Sequence, residues 1–148
     1  EEFEWSMNYN FLSAVRATRA SLEPMLKKGA GSIVNVASVN SFFMPDSGVI
    51  DYGAAKAAMV NFTKSLAMEL GPRGVRVNCV APGWVETEMT RETLSDPQRR
   101  REIESSIPVG RVGSPRDVAG AVLFLVSDLA RHVQGEILNV NGGSVLIG

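Results

Sequence analysis

Residues 32–38 read Ser-Ile-Val-Asn-Val-Ala-Ser, and this stretch decides the fold class. The run is short, rich in β-branched residues and apolar on both faces, which is typical of a buried strand in a parallel sheet. Before it, apolar residues recur every three or four positions from Phe3 to Lys28, which predicts a helix that ends at Gly29-Ala30-Gly31. A helix followed directly by a buried strand indicates an α/β architecture.

The same alternation continues toward the carboxyl terminus. In chain order the further predicted elements are a loop at Asn40–Asp51, a helix at Tyr52–Leu70, a strand at Val75–Ala81, an irregular or partly helical stretch to Gly113, a helix that begins at Ser114, and a strand at Gly135–Val140. Three helices that alternate with three strands predict an α/β fold with a parallel sheet and right-handed crossovers.

The composition argues against several classes of function. The 148 residues carry a net charge of −1, which offers no field for nucleic acid or an anionic membrane, and apolar runs such as Ala119–Val126 are too short to cross a bilayer. Cys79 is the only cysteine and His132 the only histidine, so neither an internal disulfide nor a metal site is expected. We therefore expect a cytoplasmic protein that binds neither nucleic acid nor membranes.

Residues with useful chemistry follow two of the predicted strands. Ser38 ends the first strand, Tyr52 and Lys56 begin the next helix, and Pro82-Gly83 leaves the second strand. Ligands of open parallel sheets bind beyond the carboxyl ends of the strands, which is where all of these residues fall. Residues four apart share one face of a helix, so Tyr52 and Lys56 should lie side by side.

Together these groups suit the interconversion of a carbonyl and an alcohol. A lysine ammonium beside a phenol favours the phenolate, and a tyrosine tuned in this way can give or take a proton. The Ser38 hydroxyl could hold the substrate oxygen, and a cofactor would have to supply the hydride. Each feature alone is weak evidence for a catalytic role. A Tyr-x-x-x-Lys pair by itself, for example, is more often a solvated pair on a helix surface. The ordered combination carries the prediction.

Five segments in this order give the chain a wider resemblance. They are Asn35-Val36-Ala37-Ser38, Tyr52-Gly53-Ala54-Ala55-Lys56-Ala57-Ala58, Asn78-Cys79-Val80-Ala81-Pro82-Gly83-Trp84-Val85-Glu86-Thr87, Gly110-Arg111-Val112-Gly113-Ser114-Pro115 and Gly135-Glu136-Ile137-Leu138-Asn139-Val140-Asn141-Gly142-Gly143. In these segments the chain resembles the short-chain dehydrogenase/reductase family, with a general pattern similar to 3-oxoacyl-[acyl-carrier-protein] reductases. The resemblance implies the carboxyl-terminal part of a Rossmann-type doubly wound parallel sheet in three layers, α/β/α.

The resemblance also implies a mechanism and its catalytic residues. The expected activity is an NAD(P)-dependent oxidoreductase that interconverts a ketone and a secondary alcohol. Tyr52 would be the acid/base, Lys56 would assist it and bind the nicotinamide ribose, and Ser38 would orient the substrate carbonyl. Asn10 matches the family's helix asparagine, which helps to hold a water in the proton relay; Asn8 is the rival position.

Further roles follow from the same resemblance. The residues expected to bind NAD or NADP are Tyr52, Lys56, Pro82, Gly83, Val85 and Thr87, and those expected to contact a small carbonyl or alcohol substrate are Ser38, Asn40, Trp84 and Met89. The choice between NAD and NADP stays open. The family also implies a homo-oligomer that pairs through the helices at 8–28 and 52–70.

One family feature is missing from the sequence. The glycine-rich phosphate loop, Thr-Gly-x-x-x-Gly-x-Gly, does not occur, and Gly29-Ala30-Gly31 precedes a strand instead of following one. We therefore predict that residues 1–148 form a partial Rossmann domain without the amino-terminal phosphate-binding half. Two alternatives stay open: a truncated or split chain that acts only in assembly or regulation, and a module that docks a carrier protein through Lys27, Lys28 and Arg73.

Overall fold

The computed structural model describes residues 1–42 and 48–146. Its helices and strands are α1 (Glu2–Met7), α2 (Ser13–Lys28), β1 (Gly31–Val36), α3 (Ile50–Leu70), β2 (Val75–Pro82), α4 (Arg91–Ser95), α5 (Pro97–Ser106), α6 (Pro115–Val126) and β3 (Ile137–Val140). Residues 43–47 of the predicted loop lie outside the described ranges. The predicted alternation of helices and strands is confirmed.

The first predicted helix contains an irregularity that its apolar spacing did not reveal. A π-helical turn at Asn8–Leu12 separates α1 from α2, and the Ser13 N–H donates to the Asn8 carbonyl oxygen five residues back. A π turn changes the backbone bonding but leaves the helix continuous. The predicted helix from Phe3 to Lys28 is therefore correct in extent and wrong in regularity.

Other boundaries shift by one or two residues. α3 begins at Ile50, two residues before the prediction, because the Gly53 N–H already bonds to the Val49 carbonyl oxygen at 2.9 Å. β1 ends at Val36 instead of Ser38. β3 begins at Ile137, since Gly135 has a φ of 74° and cannot extend the strand.

The stretch predicted to be irregular or partly helical contains two short helices, which confirms its partly helical character. α4 and α5 are separated at Asp96, whose carboxylate accepts hydrogen bonds from the backbone N–H groups of Gln98 and Arg99. Pro97 follows as the first residue of α5, where its missing N–H has no helical partner in any case. The bounds of these two helices were not predicted.

The three strands form one parallel sheet in the order β1-β2-β3. Successive side chains of a strand point to opposite faces, so each strand contributes to two cores. On one face Ile33, Val77 and Cys79 pack against α2 and α3, and on the other Val34 and Val80 pack against α6. The predicted three-layer α/β/α arrangement is therefore confirmed.

The long helix α3 packs closely because its first turns are small. Gly53 and Ala55 are buried, and the short 3-10 turn Val39–Ser41 lies against this helix. None of the helices within residues 1–42 and 48–146 combines the length and hydropathy needed to cross a membrane.

The thiol of Cys79 lies in the centre of the sheet. Its side chain is fully buried, and burial raises the pKa of the thiol from 9.0 to about 11 because the thiolate would lose its hydration. The Ala37 backbone N–H, the Thr63 hydroxyl and the Lys56 ammonium act in the opposite direction, with smaller effects. The thiol is therefore neutral at physiological pH.

This raised pKa predicts an alkaline loss of stability. Between pH 9.0 and about 11 the unfolded chain releases the thiol proton while the folded chain keeps it, so the free energy of unfolding falls as pH rises through this window. The thiol changes the free energy of unfolding by about 3 kcal/mol at most across this pH window. Urea unfolding of the protein and of its Cys79→Ala variant across this range measures the effect. All other ionisable groups are common to both proteins, so identical pH dependence of the two would contradict the prediction.

Candidate active site

Just beyond the carboxyl end of β1, hydrogen bonds fix the position of the Ser38 hydroxyl. Ser38 is 9% exposed and extended, and it caps the 3-10 turn that follows it. Its Oγ accepts a hydrogen bond from the Asn40 N–H at 3.2 Å, and its carbonyl oxygen accepts one from the Ser41 N–H at 3.0 Å. Because the Oγ already accepts this bond, its own hydrogen remains to be donated.

Tyr52 and Lys56 meet on one face of α3, as their spacing predicted. The Lys56 Nζ lies 5.6 Å from the centroid of the Tyr52 ring and donates a hydrogen bond to the Val36 carbonyl oxygen at 2.9 Å. Burial lowers the pKa of Lys56, and a Cys79 thiolate would raise it. Since the Cys79 thiol is neutral near neutral pH, the compensation there comes from the Val36 carbonyl and the phenol ring.

The turn after β2 requires a residue without a side chain. The Gly83 N–H donates to the Val140 carbonyl oxygen at 3.2 Å, and a Cβ on Gly83 would lie 2.8 Å from the Cβ of Asn141. Asn141 is itself fixed, since its amide bonds the Gly143 N–H and the Val145 carbonyl. Asn141 was not singled out from the sequence, although its Asn-Gly-Gly turn was visible there.

The backbone N–H and C=O groups of Val85 both point to the side of the chain that faces away from Gly113. It forms an isolated parallel bridge with Gly113, in which the Gly113 N–H donates to the Trp84 carbonyl at 2.8 Å and the Glu86 N–H donates to the Gly113 carbonyl at 2.9 Å. In such a parallel pair the bonds use the groups of the two flanking residues, so the N–H and C=O of Val85 itself point away from Gly113.

Thr90 supports this loop, and the sequence analysis missed it. Its Oγ1 donates to the Val85 carbonyl oxygen at 2.6 Å and accepts a hydrogen bond from the Thr87 N–H at 3.0 Å. The two threonines form a reciprocal capping box at the start of the 3-10 turn Glu88–Thr90. The Thr-x-x-Thr spacing was the signal that could have revealed this role.

Trp84, Met89 and Asn10 were also predicted to belong to the site, and their side chains make other contacts. Trp84 packs against the buried cluster Leu94, Ile103, Ile107 and Val112. Met89 is 82% exposed. Asn10 lies in the π turn and donates from Nδ2 to the Ser6 hydroxyl at 3.3 Å, whereas the rival Asn8 accepts a hydrogen bond from Arg16.

A charged cleft of about 400 Å³ lies beside Thr87. Arg100 lines it and bonds both Glu86, at 3.1 Å, and Glu104, at 3.0 Å. The hydrogen bond from Arg100 lowers the pKa of the Glu86 carboxyl. These contacts hold α5 to the loop that leaves β2. In the described ranges 1–42 and 48–146, His, Cys, Asp and Glu form no group that could hold a metal ion.

Known proteins resemble the chain over nearly all of its length. The sequence profile of the family described as enoyl-(acyl carrier protein) reductase matches residues 1–145. The 3-oxoacyl-[acyl-carrier-protein] reductase FabG of Vibrio harveyi is 47% identical over 146 residues, which are 97% of this chain and 59% of that protein. FabG of Vibrio cholerae is 47% identical over 149 residues, which are 99% of this chain and 60% of that protein. The chain thus spans about three fifths of these relatives.

Solved structures share both the fold and part of the sequence. A gluconate 5-dehydrogenase from Burkholderia cenocepacia, in complex with NADP and tartrate, has a TM-score of 0.91 at 29% identity and covers 97% of this chain and 56% of its own. An oxidoreductase from Burkholderia thailandensis, a short-chain dehydrogenase/reductase, has a TM-score of 0.90 at 36% identity and covers 96% of this chain and 56% of its own. The profile match, these identities and the shared sheet show that the chain belongs to the short-chain dehydrogenase/reductase family.

Proposed function

We propose that the protein containing this chain is an NAD(P)-dependent oxidoreductase that interconverts a ketone and a secondary alcohol. The observation that carries the proposal is the position of Lys56, whose ammonium lies 5.6 Å from the Tyr52 ring centroid and bonds the end of β1. Relatives named as a 3-oxoacyl reductase and a gluconate dehydrogenase support a carbonyl–alcohol reaction. The substrate is accordingly a small carbonyl or alcohol compound.

The loop after β2 fits a nicotinamide. Val85 turns its N–H and C=O away from Gly113, which suits a planar carboxamide. Gly83 shapes the turn that carries this loop, because a side chain there would collide with Asn141. Pro82 and Thr87 complete this wall, and Tyr52 and Lys56 would bind the ribose from the opposite side. A bound NAD or NADP would supply or accept the hydride. The bound NADP of the Burkholderia cenocepacia structure supports this assignment.

The chain's own residues handle the proton and the substrate oxygen. Tyr52 gives its proton to the carbonyl oxygen during reduction and takes it from the alcohol during oxidation, and the Lys56 ammonium lies beside its ring. Ser38 donates the hydrogen that its bond with Asn40 leaves free. Asn10 would help to hold a relay water, and its place in a π turn supports this role because such turns are frequent at functional sites.

Substrate contacts are assigned to the same edge of the sheet. Ser38 and Asn40, at the end of β1, would form one wall of the substrate site, and Trp84 and Met89, on the segment that leaves β2, would form the other. Trp84 is anchored in the apolar cluster beneath α4 and α5, so it can define one side of the substrate site, whereas the exposed Met89 can close over it.

The wider organisation forms part of the same proposal. Residues 1–148 would be a partial Rossmann domain of a cytoplasmic protein, with the phosphate-binding half outside this chain. The coverage of about three fifths of the FabG relatives supports this. A homo-oligomer would form through the helices at 8–28 and 52–70, where apolar side chains such as Tyr9 (67%), Leu12 (41%) and Met68 (80%) are exposed.

Replacement of the proposed acid/base tests the reaction. In the complete protein, Tyr52→Phe should lower kcat for NADPH-dependent carbonyl reduction by about 10²- to 10⁴-fold while NADPH still binds, because only the proton donor is lost. NADPH absorbance with a 3-oxoacyl thioester or with gluconate and NADP provides the assay. Tyr9→Phe is the matched control, since it removes an exposed phenol. A Tyr52→Phe enzyme with unchanged kcat would refute the mechanism.

Removal of the Thr90 hydroxyl tests the cofactor loop. Thr90→Val deletes the bond to the Val85 carbonyl, so the Val85 peptide is less well oriented and the Kd for NADPH should rise about 2- to 10-fold. Thr90→Ser retains the hydroxyl and should bind as the wild type does. Fluorescence titration with NADPH measures both. A Thr90→Val protein that is less stable but has the wild-type Kd would show that Thr90 does not orient the cofactor site.

The domain proposal has a direct test. Intact-mass spectrometry of the protein purified from its source should give a mass well above the 15.9 kDa of these residues, because the phosphate-binding half would be part of the same polypeptide. A measured mass of 15.9 kDa would contradict this and favour a split or truncated chain.

A further inference from the structure

A hydrogen-bonded polar pair lies inside the apolar layer between β1 and α3. The Asn35 Nδ2 donates to the Thr63 Oγ1 at 2.9 Å, and the Thr63 hydroxyl donates to the Met59 carbonyl oxygen at 2.9 Å. Asn35 is 6% exposed and Thr63 is fully buried. Apolar residues of similar volume would pack there without needing partners, so what the pair adds is geometric specificity.

The pair lies in line with Lys56. Thr63 follows Lys56 by seven residues, so it lies on the same face of α3, two turns or about 10 Å further along the axis. Lys56 bonds the carbonyl oxygen of Val36, the residue next to Asn35. Two hydrogen bonds therefore join consecutive residues of β1 to positions two turns apart on α3. A slide or rotation of α3 along β1 would disturb both.

The apolar packing is weakest in the first turns of α3, where Tyr52 and Lys56 lie. These turns carry the small residues Gly53, Ala54, Ala55, Ala57 and Ala58, whereas larger side chains such as Met59 and Leu70 pack into the core farther along the helix. Small side chains interlock little with their neighbours, so the first turns alone tolerate small shifts. A shifted helix would, however, leave the buried Asn35 amide and Thr63 hydroxyl unpaired, which is costly inside a protein. The polar pair thus penalises the alternatives that the apolar contacts tolerate.

We propose that Asn35 and Thr63 are positioning residues that hold α3 in register with β1, so that Lys56 reaches both the Val36 carbonyl and the Tyr52 ring. This inference rests on the proposed function, since its consequence is the placement of the Tyr52–Lys56 pair. Neither residue touches the reacting atoms: both act through Lys56.

The test uses Thr63→Val in the complete protein, with Thr63→Ser and Thr18→Val as comparisons. Valine keeps the shape of threonine without the hydroxyl, serine keeps the hydroxyl, and Thr18 is a buried threonine on α2, which lies outside the proposed site. Thr63→Val should lower kcat about tenfold with little change in KM. It should also move the midpoint of the pH–rate profile for alcohol oxidation upward by about half a pH unit or more, because the positive charge of Lys56 would lie farther from the proton that is transferred. Thr63→Ser, which keeps the hydroxyl, should have the wild-type kcat and the wild-type midpoint of the pH–rate profile.

A purely structural role predicts a different result. Loss of stability alone reduces the folded fraction but leaves kcat per folded site and the midpoint of the pH profile unchanged, as expected for Thr18→Val. That outcome for Thr63→Val would overturn the proposal. If Thr63→Val does not yield soluble protein, Thr63→Ala and Asn35→Ala carry the same two readouts, and unchanged profiles in both would equally overturn it.

The outcomes also separate this inference from the proposed function. If Tyr52→Phe abolishes carbonyl reduction while the Thr63 variants keep the wild-type pH profile, the function stands and the positioning role fails. If Tyr52→Phe retains full activity, the proposed function itself fails, whatever the Thr63 variants show.

Discussion

The parallel pairing of β1 with β2 is the constraint on which the candidate site depends. Asn35 lies opposite Cys79 and Val36 opposite Val80, so both strands end at the same edge of the sheet. That edge brings Ser38 and the Pro82-Gly83 turn to one side of the molecule, and α3 returns across the sheet from there. A shift in this register would reverse which side chains of β1 face α3 and would separate Asn35 from Thr63.

Burial of the Lys56 ammonium connects this scaffold with the proposed chemistry. An ammonium that loses hydration is unstable unless other groups replace the water, which is why burial lowers its pKa. The Val36 carbonyl and the Tyr52 ring are the replacements that the structure shows. Lys56 is half-buried, and a charge in such a partly hydrated place interacts more strongly with a neighbouring group than the same charge would in water. The partial burial that lowers the pKa of Lys56 therefore also strengthens its proposed effect on Tyr52.

The parts of the structure that the sequence predicted well are those governed by periodic burial. The strands at Val75–Ala81 and around Ile33, the three main helices and the shared face of Tyr52 and Lys56 follow from the spacing of apolar and reactive side chains. The π turn at Asn8–Leu12 and the bridge between Val85 and Gly113 were missed because backbone bonding creates them, and backbone groups are the same at every residue. Thr90 and Asn141 act on backbone groups, so their residue types alone did not mark them as part of the site.

The proposed substrate contacts and the proposed proton-transfer residues lie in different parts of the chain. The chain is similar both to reductases named for 3-oxoacyl groups on a carrier protein and to a dehydrogenase named for gluconate. The proposed proton-transfer residues lie at the end of β1 and in the first turns of α3. The segment from Glu86 through α5 is instead built separately: Trp84 anchors it through an apolar cluster, and Arg100 holds it to Glu86 through exposed ion pairs. Exposed ion pairs stabilise little, so the charged surface of this segment can change in sequence at small cost to the sheet. In the proposed enzyme, such changes would alter the substrate contacts near Met89 while Asn35, Thr63 and Lys56 keep their positions.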